Sequence, residues 1–233
     1  MSLHGFLRRN GGEIGRPLTI YRNGYGAGTV IGAVVLWIAC SVLFLLHPDL
    51  GPVQKALAVV ILAVVVVAAL LLMAGEVLVV AERGLALGTS NLGRSPFVVR
   101  YDQITVGSVV PVHRSRLYAR TTGRYGMTST VRNSAWINQG IYFVGPSARD
   151  ARRTGAVRGA LSTSSGGSID GRHFWFAGTG STPPEQVTAQ IAQAAGTIGL
   201  QQFARATAAA PPRELTGKRA DAARLLPGFP AHR

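Results

Sequence analysis

The chain has few of the residues from which catalytic and metal sites are built. Its only cysteine is Cys40, so an intrachain disulfide and a thiolate-built zinc or iron–sulfur site are both excluded. The 10 Asp+Glu are scattered without an obvious acid–base couple, and the 5 histidines lack metal-ligand spacing. Nucleophile-elbow, P-loop and dinucleotide motifs are also absent. The sequence therefore predicts no catalytic residue, no metal and no cofactor.

Charged residues are missing from two long apolar runs, Ala27–Leu46 and residues 56–75. Each run has about the 20 residues that a helix needs to cross about 30 Å of hydrocarbon. In lipid a backbone must satisfy its own hydrogen bonds, and two isolated runs cannot close a barrel. The first run also begins too late and is too long for a cleaved signal peptide. We therefore predict a transmembrane hairpin over residues 27–75, joined by a short linker containing Pro48 and Pro52.

The positive charges flank the outer ends of this hairpin. The linker carries only Lys55, whereas four arginines precede the first run and others follow the second: Arg8, Arg9, Arg16, Arg22, Arg83, Arg94 and Arg100. Positively charged flanks stay on the cytoplasmic side. The sequence thus predicts a multi-pass protein of the plasma (inner) membrane with both termini in the cytoplasm.

Gly28 and Gly32 stand four residues apart near the start of the first run. This spacing is typical of a small-residue face that lets two membrane helices approach closely. Such pairs also arise by chance, so both helix packing and coincidence stay open for Gly28 and Gly32.

The remaining chain is divided by pattern into an N-terminal arm, a mainly β domain and a tail. Residues 1–26 are interpreted as a cytoplasmic arm, either at the lipid interface or disordered.

Short apolar runs separated by turn residues predict strands at residues 76–82, 84–88, 97–106, 108–112, 116–122, 140–144 and 173–177. A helix is predicted after the cap Thr182 and Pro183, with Val187 and Ile191 on its buried face. The domain then spans 76–203, and 204–233 is predicted to be a flexible tail with a helical turn or two near 220–226.

Three segments of the β domain have a distinctive pattern. Residues 76–88 read EVLVVAERGLALG, residues 97–106 read FVVRYDQITV, and residues 173–195 read HFWFAGTGSTPPEQVTAQIAQAA. Over about residues 76–196, these segments resemble the bacterial pleckstrin-homology-like domains. The resemblance implies an antiparallel barrel or sandwich capped by a C-terminal helix, used to bind lipids, peptides or proteins without catalysis. Many members carry two membrane helices ahead of the domain. Residues 145–168 depart from the pattern as an insertion-like stretch.

The segment at residues 113–132 is the most suggestive for binding, because it is basic, lacks acids and has interleaved tyrosines. Its candidate binding residues are Arg114, Arg116, Tyr118, Arg120, Arg124, Tyr125 and Arg132. Arginine forks could hold lipid phosphates with tyrosine at headgroup level, or could contact an acidic protein. They could also contact nucleic acid, or simply form a solvated basic face. With a net charge of +14, an anionic partner suits the chain, and the membrane helices favour lipid over nucleic acid.

These observations predict an α+β membrane protein with a non-catalytic role. Our leading hypothesis is an accessory or scaffold subunit, for example of a respiratory or transport assembly, whose cytoplasmic domain binds a partner within that complex. The first rival is an anionic-lipid-binding module that acts through the basic segment. The second is an enzyme with an unrecognised site around His173 and Asp102.

Overall fold

Two four-stranded sheets, two long apolar helices and several shorter helices make up the described part of the chain. The computed structural model describes residues 3–22, 27–74, 76–89, 96–122, 138–147, 150–152 and 173–230. The α-helices are α1 Leu3–Ile14, α2 Ala27–Leu46, α3 Pro52–Ala74, α4 Tyr118–Thr122, α5 Pro184–Thr197, α6 Gln201–Ala208 and α7 Ala222–Leu225. The strands are β1 Pro17–Arg22, β2 Glu76–Ala81, β3 Gly84–Thr89, β4 Phe97–Arg100, β5 Val110–His113, β6 Gln139–Gly145, β7 His173–Gly178 and β8 Arg213–Glu214.

The two uncharged runs are helices, as the sequence predicts. Over Pro52–Leu71, α3 is long and apolar enough to cross a membrane, and none of that stretch is buried in the protein. The apolar stretch described within α2, Val30–Leu46, is shorter. The helices pack against each other, and the Trp37 indole donates a 3.5 Å hydrogen bond to the Val59 carbonyl. Among the residues that the structure describes, one helix thus has membrane-spanning length and apolarity.

The helical hairpin is inserted between two neighbouring strands of one sheet. β1 precedes α2, β2 follows α3, and the two strands pair antiparallel, with Arg22 opposite Val77. Both ends of the hairpin therefore leave the sheet at the same place. We call this side of the domain the hairpin end and the opposite side, where Pro17 pairs with Ala81, the far end.

The sheets differ in topology. Sheet A has the order β1-β2-β3-β4 and is antiparallel throughout. Sheet B has the order β7-β6-β5-β8, in which the short β8 pairs parallel with β5. Both sheets gain one edge strand from a region close to a chain terminus. The predicted α+β class with antiparallel sheets is confirmed.

An aromatic core fills the space between the inner faces of the two sheets. Phe97 of sheet A packs edge-on against Trp175, with ring centroids 5.2 Å apart. Phe143 stacks on Trp175, with ring centroids 6.0 Å apart. α5 adds the buried side chains of Val187 and Ile191, as its spacing predicts. Each fully buried side chain of this size contributes roughly 1.5–3 kcal/mol through loss of water contact.

Outer layers cover the other face of each sheet. On sheet A, Phe6, Leu7 and Ile14 of α1 pack on the outward side chains of the strands. On sheet B, the C-terminal residues Leu215 and Leu226 do the same. Strands covered on both faces need apolar side chains at successive positions, which explains the continuous runs in β2 and β7.

The two termini therefore correct the predicted domain limits. The prediction of a disordered N-terminal arm is wrong, because residues 3–22 form a helix and an edge strand of sheet A. The flexible tail is also wrong, because 204–230 contain β8, α7 and fully buried leucines. The predicted helical turn near 220–226 is confirmed as α7.

Two predicted strands are corrected as well. Residues 116–122 are helical, since a 3₁₀ turn at Ser115–Leu117 leads into α4. The strand predicted at 97–106 stops at Arg100, where a 3₁₀ turn at Tyr101–Gln103 begins. In that turn the buried Tyr101 hydroxyl donates to the Ala81 carbonyl at 2.8 Å, a contact available only in the folded sheet.

Candidate functional site

The basic segment lies at the end of β5, in a helical turn rather than in a hairpin. Arg114 adopts a left-handed backbone conformation (φ 56°) that ends the strand and starts the 3₁₀ turn. Arg114, Arg116 and Arg120 all expose their side chains to solvent. The structure thus brings three of the predicted arginines onto one short surface element.

Tyr118 does not share that surface. Its side chain is 3% exposed and packs 5.2 Å from the Phe176 ring in the outer layer of sheet B. Burial raises the pKa of its hydroxyl far above the usual value for tyrosine. The expectation that Tyr118 lies at headgroup level is wrong. Arg124, Tyr125 and Arg132 lie outside the described residues, so their predicted roles stay predictions.

Two ion pairs border the basic segment. Arg114 Nη1 lies 3.4 Å from Glu214 Oε1 of β8, and both side chains are exposed. His113 Nε2 lies 2.5 Å from Glu185 Oε1 in the first turn of α5. Burial tends to raise the pKa of Glu185, but the hydrogen bond and charge of His113 and a backbone hydrogen bond outweigh it and lower that pKa. An ionised carboxylate only accepts hydrogen bonds, so Nε2 donates.

The direction of α5 places the basic segment relative to α2 and α3. In the middle of α5, Gln190 accepts a hydrogen bond from Tyr21, which stands beside Arg22 at the hairpin end. Just beyond α5, Leu200 lines a cleft with Arg100 at the far end of sheet A. α5 therefore runs away from the hairpin end, and its first turn is directed toward that end. His113 contacts this first turn, so the basic segment lies on the same side.

The glycines predicted for helix packing are in α2. Gly28 belongs to the first turn of α2. A Cβ at Gly32 would meet no atom within 4 Å, so this residue makes no close contact with α3. The predicted role of Gly28 and Gly32 in close helix–helix packing stays a prediction.

A second basic surface lies at the far end, where sequence analysis predicted none. A cleft of about 600 Å³ lies between α1, the start of β1 and the end of β2. Three arginines and a histidine line it: Arg8, Arg16, Arg83 and His4. Among the described residues that line it, Glu82 is the one carboxylate, and its side chain accepts the backbone N–H of Arg16 at 3.0 Å.

A smaller cleft of about 370 Å³ adjoins the first and shares Arg83 with it. Here the charges are matched, because Arg100 holds both Asp102 oxygens at 3.0 Å. The enzyme hypothesis paired Asp102 with His173. Asp102 follows β4 of sheet A, whereas His173 begins β7 of sheet B. Within the described residues, no group of three His, Cys, Asp or Glu side chains could hold a metal ion.

Sequence analysis missed the far-end cleft because Arg8, Arg16 and Arg83 were treated as separate flanking charges. The signal that could have found it is the alternating PLTIYR run at Pro17–Arg22, which has the composition of a strand. Pairing that strand with β2 brings Arg16 next to the turn that holds Arg83. No protein family, curated protein or solved structure matches this chain, so its function is inferred from its own residues.

Proposed function

We propose that the chain is a non-catalytic accessory protein of a membrane complex, anchored by both α2 and α3, whose folded domain binds a partner in that complex. The observation that carries this proposal is the insertion of the helical hairpin between β1 and β2. Because these strands pair directly, α2 and α3 are joined to the domain by two chain connections at the hairpin end of sheet A. Such a connection suits a protein that holds a partner at a defined place beside the membrane.

The surfaces of the helices support the same proposal. Side chains along α2 and α3 are largely exposed, including Leu43 at 69% and Val64 at 62%. Exposed apolar surface of this extent is typical of helices surrounded by lipid or by other membrane helices, and this supports the proposal. Arginines before and after the hairpin favour a cytoplasmic domain by the positive-inside rule.

Affinity purification of the full-length protein from its native membranes tests this proposal. We expect a stoichiometric set of other membrane proteins, identified by mass spectrometry. A matched control keeps the domain and replaces residues 27–74 with an unrelated transmembrane hairpin of equal length. The same partners should co-purify with this control if the domain binds them. Recovery of the unaltered chain alone would contradict the proposal.

A second candidate function is binding of anionic lipid headgroups through the basic segment. It is favoured by the position of Arg114, Arg116 and Arg120 on the side of the domain toward the hairpin end. Near an anionic leaflet, each exposed arginine adds about 1 kcal/mol of attraction. The ion pair with Glu214 reduces the contribution of Arg114.

Hydrogen exchange in nanodiscs tests lipid binding in the full-length protein. We expect slower amide exchange over residues 114–122 in anionic than in neutral nanodiscs. Replacing Arg116, Arg120 and Arg124 with serine should abolish that difference. The control replaces Arg8, Arg16 and Arg83 with serine, which removes the same charge from the far end and should preserve the difference. Identical exchange of the unaltered protein in both lipids would rule the idea out.

A further inference from the structure

We propose that the far-end cleft binds a phosphorylated small molecule with an apolar or planar body, the chemistry of a nucleotide. Arg8, Arg16 and Arg83 would hold the phosphate groups, and the body would rest on the apolar floor of the cleft. This inference goes beyond the proposed function and does not depend on it, because the cleft lies at the opposite end of the domain from α2 and α3.

Backbone hydrogen bonds bring Arg16 and Arg83 together, and Arg8 of α1 lines the same cleft. The Arg83 N–H donates to the Ile14 carbonyl at 2.8 Å, and the Glu82 N–H donates to the Arg16 carbonyl at 3.1 Å. These bonds tie the α1–β1 turn to the β2–β3 turn. Gly15 makes the approach possible, because its φ is +77° and a Cβ there would lie 2.7 Å from Glu82 Oε2. Arg16 and Arg83 therefore flank a contact between two turns whose geometry is fixed.

The charge of the cleft is not balanced internally. Arg8, Arg16 and Arg83 are exposed, and within the described residues none of their guanidinium groups lies within 4.0 Å of a carboxylate. Guanidinium groups present planar forks that match phosphate oxygens, so an anion with several oxygens can satisfy more than one of them. The smaller cleft nearby shows the contrast, since its Arg100 is already held by Asp102.

The floor of the cleft has a different chemistry from its rim. Leu7, which is 7% exposed, and the half-buried Ile20 form it, and the exposed Pro17 adds apolar surface beside them. A volume of about 600 Å³ falls in the range of small-molecule sites, roughly 300–1,000 Å³. An inorganic anion would use the arginines and leave this floor uncovered. The combination of an apolar floor and a cationic rim favours an organic phosphate.

Titration of the full-length protein in neutral-lipid nanodiscs tests the inference, with ATP, tripolyphosphate and adenosine as probes. We expect ATP to bind, tripolyphosphate to bind more weakly, and adenosine not to bind. Arg16→Gln or Arg83→Gln should weaken ATP binding at least about tenfold, since each removes charge-assisted hydrogen bonds. Arg205→Gln, at an exposed position in α6, removes the same charge elsewhere and should leave the affinity unchanged.

A further variant blocks the cleft without replacing its arginines, and a neighbouring variant is its control. Gly11 lines the cleft, whereas Gly12 lines the smaller cleft, and a Cβ at either glycine would meet no atom within 4 Å. Gly11→Glu should therefore abolish ATP binding, whereas Gly12→Glu, with the same charge and the same helix, should retain most of it. Circular dichroism confirms that both variants keep the fold.

Three outcomes would overturn the inference. The first is the absence of ATP binding to the unaltered protein. The second is equal weakening by Arg205→Gln and Arg16→Gln, which would reduce the effect to net charge. The third is equal affinity for tripolyphosphate and ATP, which would remove the organic body from the assignment. Each outcome concerns the far end alone, so none bears on the binding of a membrane partner.

Discussion

Sheets A and B both gain an edge strand and an outer layer from a region near a chain terminus, but they do so differently. In sheet A, β1 pairs antiparallel with β2 along nearly its whole length, and α1 folds over the outer face. In sheet B, β8 adds only two parallel pairs beside β5, and the outer face is covered mainly by leucines after β8. The hydrogen-bonded edge is thus long in one sheet and short in the other.

The difference shows what makes a polar terminal segment fold. Ile14 and Leu226 are both fully buried, although the segments around them are rich in arginine, glycine, proline or alanine. In sheet A the order comes from strand pairing and apolar packing together. In sheet B it comes almost entirely from packing. A few apolar anchors suffice when the opposing sheet face is already apolar, because burial then removes water from both sides.

The largest expected effects test these anchors directly. Ile14→Ala and Leu226→Ala should each lower the free energy of unfolding by about 2–5 kcal/mol, because each leaves a cavity between a sheet and its cover. Leu18→Ala is the control, since Leu18 is 53% exposed and should cost little. Denaturant unfolding in mild detergent, followed by far-ultraviolet circular dichroism, measures the difference. If Leu226→Ala leaves the free energy of unfolding unchanged, residues 204–233 behave as the predicted flexible tail.

A matched pair of glycines compares the backbone packing of the two sheets. A Cβ at Gly84 in sheet A would lie 2.5 Å from the Val99 carbonyl, and one at Gly140 in sheet B would lie 2.4 Å from the Ala177 carbonyl. Gly84→Ala and Gly140→Ala should each destabilise by about 1–3 kcal/mol through overpacking. The same unfolding assay measures both.

Gly12→Ala is the control for this pair. It lies in α1 with open space around it and should stabilise the protein by up to about 1 kcal/mol, since alanine is the better helix former. Destabilisation by only one of the two strand substitutions would show that the other sheet can widen at no cost.

The two attachments of α5 differ in their response to pH. Tyr21–Gln190 joins α5 to sheet A and is uncharged, so Tyr21→Phe should cost about 1 kcal/mol at both pH 7 and pH 4. His113–Glu185 joins α5 to sheet B. Because folding lowers the pKa of Glu185, its stabilisation is present above the ordinary pKa of 4.5 and is lost as pH falls through the lower folded value.

Glu185→Gln should therefore remove part of the acid sensitivity of unfolding below pH 4.5. The side chains are 39% and 43% exposed, so the effect should stay below about 1 kcal/mol. Unfolding curves measured between neutral and acid pH give the comparison. An identical acid response of Glu185→Gln and the unaltered protein would show that this pair does not contribute to holding α5.

The smallest effects concern the exposed ion pairs. Arg100 binds Asp102 through two 3.0 Å contacts in sheet A, whereas Arg114 approaches Glu214 at 3.4 Å in sheet B. Double-mutant cycles to alanine should give coupling of about 0.2–1 kcal/mol, with the bidentate pair at the upper end. Raised salt should reduce both values, and a larger coupling for Arg114–Glu214 would contradict the geometry.

Local patterns predicted the parts of the fold whose partners are close in sequence. The uncharged runs became α2 and α3, and the spacing of Val187 and Ile191 placed the buried face of α5 correctly. Thr182 was wrong as the cap, because Pro183 occupies that position. The strand predicted at residues 116–122 was also wrong. Tyr118 is buried, but it belongs to the short helix α4.

The candidate sites depended more on contacts between distant segments. Arg114, Arg116 and Arg120 were found as a group because they are neighbours in the chain. Arg16 and Arg83 were not, because the whole helical hairpin separates them in sequence while a strand pair joins them in space.

The sequence by itself determined the apolar helices, the strong positive charge, and most of the strands of both sheets. Hydrophobic runs and periodicity report how each segment meets its immediate surroundings, and these properties are local. Only the tertiary structure decided that both termini belong to the domain and which arginines share a cleft. Those outcomes depend on strand pairing and on the apolar faces left for a terminus to cover, and neither is visible in a segment read alone.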